Sequence, residues 1–217
     1  MHPATRSVKI PPIGLDGDLV VPAGAKAVVV FAHGSGSSRF SSRNRLVAGV
    51  LHEKALATLL MDLLTADEEK LDSRTAQLRF DIALLAERLV QATEWLRNDS
   101  ETRALQVGYF GASTGAGAAL VAAAELPKIA AVVSRGGRPD LAGKALQNVK
   151  APTLLIVGSR DEQVLELNQA ALAQLRCEKK LEIIPGATHL FEEAGALDEV
   201  ARLASAWFED HLLASPD

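Results

Sequence analysis

The stretch Gly111-Ala112-Ser113-Thr114-Gly115 decides how this chain is interpreted. It follows an apolar run over residues 105–110 and precedes a run of small residues over 116–124, a pattern that predicts a strand, a sharp turn and a helix. A Gly-x-Ser-x-Gly sequence in that setting is typical of a serine nucleophile. Glycines are needed on both sides because the turn leaves no room for Cβ atoms. Ser113 is therefore the predicted nucleophile.

Short apolar runs alternate with longer stretches of helical spacing. The runs are rich in Val, Leu and Ile, as expected of strands buried on both faces of a sheet, and they cover residues 27–31, 55–60, 105–110, 129–133 and 153–157. Weaker extended segments are expected as an edge hairpin over 8–10 and 18–21, and as a last strand over 180–184. Helical spacing is found over 80–97, from about 163, and over about 197–213. The alternation predicts one α/β domain over 1–217, with a twisted, mostly parallel sheet of about eight strands and about six helices on both faces.

Composition excludes several classes of protein. The formal net charge of −4 argues against a nucleic-acid-binding surface. A single cysteine, Cys177, excludes an internal disulfide framework and indicates a reducing compartment. The sequence has neither an apolar run of membrane-spanning length nor a signal-peptide core over residues 1–12, so we expect a cytoplasmic protein with no membrane partner. Phosphate-binding glycine motifs and metal-ligand spacings are both missing, and we expect no cofactor and no metal.

A serine hydroxyl needs a base to remove its proton and an acid to orient that base. Of the five histidines, His189 alone comes later in the sequence than Ser113 and also lies in a loop after a predicted strand, within the turn 185–189. Asp161 lies in the turn 158–162 directly after another predicted strand, and Glu162 is the nearest alternative. The sequence therefore predicts Ser113, Asp161 and His189 as the catalytic residues.

The same chemistry needs backbone donors for an oxyanion. The N–H of Thr114, directly after the nucleophile, is one candidate. A second donor is expected from the glycine-rich turn that begins His33-Gly34-Ser35-Gly36, with Ser35 or Gly36 supplying it. We expect His33 to have a structural role, in which its ring hydrogen-bonds and fixes this turn.

With these residues identified, the chain resembles an α/β-hydrolase over nearly its whole length, and most closely the dienelactone hydrolase-like branch. The resemblance is carried by His33-Gly34-Ser35-Gly36, by residues 111–115, by the turn 158–161, by the turn 186–189, and by the order Ser113, Asp161, His189. It implies a small α/β-hydrolase fold without a cap domain. Dienelactone hydrolases themselves use a cysteine nucleophile, whereas this chain has Ser113, which argues against dienelactone as its substrate.

A cap in such proteins usually follows the sixth strand. Here about 18 residues separate Val133 from Pro152, which is enough only for a loop and one short helix. We therefore expect an open site.

Arginines are concentrated near this expected site. Arg135 and Arg138 follow a central strand, and Arg43 follows the glycine-rich turn together with Arg39 and Arg45. Because ligands bind at the carboxyl ends of strands in open α/β sheets and arginine pairs with carboxylate or phosphate, Arg135, Arg138 and Arg43 are predicted to bind an anionic substrate. The alternative is that these arginines are surface groups paired with Asp67, Glu68 or Asp140.

The sequence thus predicts a serine hydrolase that cleaves a carboxylic ester or lactone of a small, anionic molecule. Two alternatives stay open at this point. One is a binding or interaction protein that keeps the hydrolase fold with an idle site. The other is an acyltransferase, because an acyl-enzyme is common to hydrolysis and to transfer. The oligomeric state is also open.

Overall fold

The computed structural model describes residues 3–213 and contains one eight-stranded sheet. Its strands are β1 Thr5–Ile10, β2 Leu15–Val20, β3 Ala27–Ala32, β4 Leu56–Met61, β5 Gln106–Ala112, β6 Ile129–Arg135, β7 Thr153–Gly158 and β8 Lys179–Ile184. They lie in the order β1-β2-β4-β3-β5-β6-β7-β8. β2 pairs antiparallel with both β1 and β4, and the strands from β3 to β8 pair in parallel. The predicted α/β-hydrolase fold is confirmed.

Six α-helices lie within the described residues, as predicted. They are α1 Ser42–Glu53, α2 Ala66–Thr75, α3 Ile82–Asn98, α4 Thr114–Glu125, α5 Glu162–Gln174 and α6 Ala196–Phe208. One apolar cluster joins α3, α4 and α5 to one face of the sheet, and a second joins α1 and α6 to the other. Strands β3, β4 and β7 are buried at every position because both faces are covered.

Several predicted boundaries were wrong at the edges of elements. β1 begins at Thr5 rather than at residue 8, because an edge strand with an exposed face has no apolar run to reveal it. β6 continues through Arg135, which was predicted to lie in the following loop, because Arg135 pairs with Ala112 of β5 and Ile156 of β7. The last helix, predicted over about 197–213, changes at Phe208 to a wider π turn over Glu209–Leu213.

The connection between β6 and β7 is short. Within residues 3–213 it contains 3-10 helical turns over Pro139–Asn148 and no inserted domain, as predicted. The carboxyl ends of β3, β5, β6, β7 and β8 are therefore left uncovered by a cap, and they hold the loops that carry the predicted site.

None of the helices described between residues 3 and 213 has the length and apolar character needed to cross a bilayer. The cytoplasmic location stays a prediction.

Candidate active site

Ser113 lies at the turn between β5 and α4 with φ 51° and ψ −123°, a strained conformation for a residue with a side chain. The flanking glycines explain how the turn is possible. A Cβ on Gly111 would lie 2.4 Å from Cα of Ala116, and a Cβ on Gly115 would lie 2.3 Å from the carbonyl oxygen of Ala32. Both glycines are required by close backbone approach, and together they place the Ser113 hydroxyl at the uncovered end of the sheet.

Asp161 and His189 are in direct contact. Nδ1 of His189 lies 2.6 Å from Oδ2 of Asp161. Asp161 is the residue before α5, yet its side chain caps no N–H of that helix, so the carboxylate is directed to the imidazole instead. Glu162, the alternative acid, is exposed on the first turn of α5. The structure thus pairs the predicted base with Asp161.

Ser113 and His189 line one cleft of about 400 Å³. The turns that bear His189 and Asp161 meet closely, because a Cβ on Gly158 would lie 2.3 Å from the carbonyl oxygen of Ala187. Three turns that are far apart in sequence are therefore brought to one cleft at the carboxyl ends of β5, β7 and β8.

A second contact holds the turn that carries His189. The N–H and the hydroxyl of Thr188 both donate to Oε1 of Glu193, at 3.1 and 2.7 Å. The hydroxyl of Thr188 is the main reason why the pKa of Glu193 lies below its ordinary value. Glu193 was not among the predicted residues. A carboxylate four positions after a histidine is common on any surface, and the pattern alone gave no signal.

His33 fixes the glycine-rich turn, as its position suggested. The N–H of Leu63 donates to Nε2 of His33 at 3.1 Å, so Nε2 is the acceptor and Nδ1 carries the proton that Gly34 O accepts at 2.9 Å. Burial lowers the pKa of His33 below its ordinary value, which agrees with this neutral form. With both nitrogens engaged, His33 holds the backbone of the turn.

The two candidates for the second oxyanion donor differ in their contacts. Ser35 N–H donates to the side-chain hydroxyl of Thr114 at 3.0 Å and is therefore engaged. Gly36 has φ +69°, and within residues 3–213 its N–H makes no hydrogen bond. Thr114 is the first residue of α4, so no carbonyl one helical turn earlier accepts its N–H. The N–H of Gly36 is therefore available to a ligand, whereas the N–H of Ser35 is already bound to the side chain of Thr114.

The three predicted substrate-binding arginines are in different environments. Arg135 and Arg43 line the same cleft as Ser113. Arg138 is absent from the described lining, and its guanidinium forms two hydrogen bonds to Asp140, at 2.9 and 2.8 Å. The prediction for Arg138 is therefore corrected. Its guanidinium is paired with the carboxylate of Asp140, two residues away, which is the alternative that the sequence left open.

Asn44 is a cleft residue that sequence reasoning missed. It is buried on α1, and its Oδ1 lies 3.4 Å from Nη2 of Arg135. The N–H of Asn44 in turn donates to Oγ of Ser41, which caps the helix. Asn44 and Arg135 are 91 positions apart, so no local pattern could have joined them.

Among residues 3–213, no three His, Cys, Asp or Glu side chains are grouped so that they could hold a metal ion. The donors that face the cleft are hydroxyl, amide, imidazole and guanidinium groups.

A family model and solved structures show which proteins this chain is similar to. A model of the dienelactone hydrolase family matches residues 15–211. The crystal structure of dienelactone hydrolase from Anabaena variabilis is 61% identical, covers 98% of this chain and 100% of that chain, and has a TM-score of 0.95. Est1E from Butyrivibrio proteoclasticus is 17% identical, covers 97% of this chain and 99% of that chain, and has a TM-score of 0.79. That second likeness concerns the fold alone.

Curated relatives from two strains of Mycobacterium tuberculosis, CDC 1551 and H37Rv, are 59% identical over 203 residues, which is 93% of this chain. They carry a provisional phosphoribosyl transferase name. The chain spans about half the length of these relatives, 45%. The name therefore describes proteins of which this chain matches one part.

Proposed function

Because the chain belongs to the dienelactone hydrolase family, we propose that it is a serine hydrolase that cleaves a carboxylic ester or lactone of a small, anionic substrate. The observation that carries the proposal is the contact of 2.6 Å between His189 Nδ1 and Asp161 Oδ2, in a cleft that also contains the strained Ser113. A base oriented by an acid, in the same cleft as a serine hydroxyl, is the arrangement that acyl transfer to serine requires.

In the proposed first step, the Ser113 hydroxyl attacks the substrate carbonyl and His189 Nε2 takes its proton. Asp161 accepts a hydrogen bond from Nδ1 and so holds the imidazole in the tautomer whose Nε2 is a base. The tetrahedral oxyanion is stabilised by the N–H groups of Thr114 and Gly36. Preorganised backbone donors of this kind account for roughly a hundredfold to a thousandfold each in comparable sites.

His189 then gives the proton to the leaving alcohol, and the bond between the carbonyl carbon and the alcohol oxygen breaks to leave the acyl-enzyme. In the second half of the reaction, His189 removes a proton from a water molecule that attacks the acyl carbon. The bond from that carbon to Ser113 Oγ breaks, His189 returns the proton to Ser113, and the free acid leaves. With no cap domain over the carboxyl ends of the strands within residues 3–213, the cleft is open to that water. A lactone follows the same route, except that its leaving alcohol remains attached to the acyl group.

Arg135 and Arg43 support an anionic substrate. Both residues line the cleft. Arg135, the last residue of β6, pairs in the sheet with Ala112, the residue directly before Ser113. A carboxylate or phosphate on the substrate would form ion pairs with these two guanidinium groups, and the pairs would orient the substrate carbonyl toward Ser113.

Fluorophosphonate labelling tests the reaction type directly. The folded protein is expected to be labelled, and Ser113→Ala is expected to lose the label; absence of labelling in the folded wild type would instead favour an idle binding fold. Product analysis with added alcohol or amine acceptors separates hydrolysis from acyl transfer, because a transferase would form the acyl-acceptor product in preference to the free acid.

A panel of p-nitrophenyl esters, in pairs that differ only by a carboxylate on the acyl chain, tests the substrate class. Arg135→Ala is expected to raise KM for the anionic member of each pair relative to the neutral member. Arg138→Ala, which removes an arginine paired with Asp140, is the matched control and is expected to leave that ratio unchanged. Equal effects of Arg135→Ala on both members would contradict the anionic assignment.

A further inference from the structure

Arg135 is a buried guanidinium without a carboxylate partner. The residue is 7% exposed, and its Nε has no hydrogen-bond partner among the described residues. Among the described residues, the only hydrogen bond of its guanidinium is a long one, 3.4 Å, to the neutral amide of Asn44, and its Cζ lies 6.0 Å from the ring centroid of Phe191. Leaving a charge buried and unpaired destabilises the folded state by several kcal/mol in general.

The other buried arginine among residues 3–213, Arg88, is paired with a carboxylate, and so are the less buried Arg79, Arg39 and Arg138. Arg88 contacts Glu68 at 2.9 Å, Arg79 contacts Asp72 at 2.5 Å, and the guanidinium of Arg39 contacts Asp62. Arg138 contacts Asp140 at 2.8 Å. Of the two arginines that are buried within the described residues, Arg88 has a carboxylate partner, whereas Arg135, which lines the cleft with Ser113, has none.

A second guanidinium shares the cleft. Arg43 is half-buried, and the carboxylate nearest to it, that of Glu192, is 3.7 Å away on a side chain that is 70% exposed. Burial, with the charge of Arg43 adding to it, lowers the pKa of Arg135 to about 10. Arg135 is therefore still charged at neutral pH, and the charge of Arg43 repels it.

The cleft offers donors and no opposing charge. None of the described residues that line it is acidic, and the lining includes the hydroxyls of Ser35, Ser37 and Ser41. The neighbouring cleft, on the other side of the turn that contains Gly36, is by contrast lined by Asp62 and Glu69. That neighbouring cleft also contains Arg39, so its acidic residues are accompanied by a positive charge, whereas the charged residues that line the cleft of the nucleophile are the arginines Arg43 and Arg135.

We propose that Arg135 and Arg43 form a phosphate subsite in this cleft, so that the ester or lactone substrate carries a phosphate monoester group. The inference rests on the proposed function for the reaction and names its substrate class. A single carboxylate would neutralise one guanidinium and leave the other uncompensated. A phosphate monoester at pH 7 carries a charge of about −1.5 to −2 and three terminal oxygens. It can therefore pair with both guanidinium groups and accept hydrogen bonds from several hydroxyls at the same time.

The position of Arg135 also limits the size of the substrate. Ser113 N–H donates to the carbonyl oxygen of Arg135 at 3.3 Å, so the backbones of the two residues are in direct contact. Both residues line one cleft of about 400 Å³, so the phosphate and the scissile carbonyl must both fit within it. The class that fits is a carboxylic ester or lactone of a small phosphorylated molecule.

Binding of inorganic phosphate tests the subsite without turnover. Thermal unfolding and calorimetry with phosphate, against acetate and succinate at matched ionic strength, are expected to detect stabilisation by phosphate above that by either carboxylate. Arg135→Met and Arg43→Met are each expected to weaken phosphate binding by about tenfold or more, because each removes a charge-assisted pair. Arg138→Met is the matched control and is expected to bind phosphate as the wild type does.

The results separate this inference from the proposed function. Stabilisation by succinate or acetate equal to that by phosphate, or phosphate binding that survives both Arg135→Met and Arg43→Met, would overturn the phosphate subsite even in a protein that hydrolyses esters. Arg135-dependent phosphate binding in a protein that fluorophosphonate does not label would support the subsite and reject the hydrolase. If Arg135→Met does not fold, Arg135→Lys and Arg43→Met carry the same test.

Discussion

His189 Nδ1 and Asp161 Oδ2 lie 2.6 Å apart although the residues are 28 positions apart in the chain. The contact exists because β7 and β8 are neighbours in the sheet, which brings the turns at their carboxyl ends together. Since Nδ1 donates to a carboxylate, the imidazole presents its other nitrogen as a base. This relationship makes the loss of any one of the three proposed catalytic residues a loss of the whole unit.

Replacing Ser113 or His189 by Ala is expected to lower kcat for an activated ester by roughly a millionfold, and Asp161→Asn by roughly ten-thousandfold, if the three act together. The difference arises because Asn preserves the shape of the contact while favouring the wrong tautomer of the imidazole. Steady-state kinetics of the purified variants on p-nitrophenyl acetate would measure both values.

The double variant Ser113→Ala/His189→Ala is the control for that prediction. It should be no slower than either single variant, since residues that act as a unit are not additive. A double variant slower by the product of the two single effects would indicate independent roles.

Thr114→Val is expected to lower kcat while KM changes little. The substitution removes the hydroxyl that accepts the Ser35 N–H at 3.0 Å, and that N–H is then left without its partner beside the oxyanion turn. An unsatisfied donor of this kind destabilises the protein by about 1–3 kcal/mol, and movement of the turn misplaces the Gly36 N–H. Thr114→Ser keeps the hydroxyl and should resemble the wild type in both kcat and urea unfolding. A loss of activity in Thr114→Ser equal to that in Thr114→Val would contradict this role.

Much of the fold could be predicted because its information is local. Each buried parallel strand is a short apolar run, and each loop with a chemical group follows such a run directly, as Asp161 follows β7 and His189 follows β8. Once the strands are recognised as parallel, their carboxyl ends lie at one edge of the sheet. The family resemblance drawn from these turns is confirmed by the match over residues 15–211.

The contacts that decide the cleft could not be predicted, because they join residues that no local pattern connects. Ser35 and Thr114 are 79 positions apart. Arg135 and Arg138 are only three positions apart, yet Arg135 is held in the sheet by two neighbouring strands while Arg138 lies beyond the strand end and pairs with Asp140. Which arginine faces the cleft depends on where β6 ends, and strand ends are the least certain part of a sequence-based prediction.

The neutral state of His33 predicts a pH dependence of stability. Burial lowers its pKa in the folded protein below the ordinary 6.5, so the unfolded chain binds more protons between those two values. The free energy of unfolding should therefore be highest above about pH 6.5 and fall as the pH decreases from there toward the folded pKa. Urea unfolding from pH 5 to 8 would measure the slope.

The control for that slope is a pair of histidine variants. His33→Gln should lose this component, whereas His211→Gln, at the far end of the chain, should keep it. Because His33→Gln also removes the contact that fixes the turn, NMR titration of the His33 ring in the wild type is the second measurement. A His33 ring that titrates at or above 6.5 would contradict the proposed tautomer.

Glu193 is expected to position His189 without touching the substrate. Its Oε1 accepts the N–H and the hydroxyl of Thr188, the residue directly before His189. Glu193→Ala should free this turn and lower kcat by roughly tenfold with little change in KM, since small displacements of a catalytic group reduce the rate strongly. Glu193→Gln keeps an oxygen acceptor at the same place and should retain more activity than Glu193→Ala.

Two readouts distinguish this positioning role from a general loss of stability. The downfield proton resonance of the His189–Asp161 hydrogen bond should weaken or broaden in Glu193→Ala and persist in Glu193→Gln. The lowered pKa of Glu193 adds stability that is present above the ordinary pKa of a glutamate and is lost as the pH falls through its folded value. Acid unfolding of the wild type should therefore show a component that both variants lack. If Glu193→Ala kept full kcat and an unchanged downfield resonance, the turn would be rigid without the Thr188 contact, and its position would have to come from the packing of the buried Phe191 beside it.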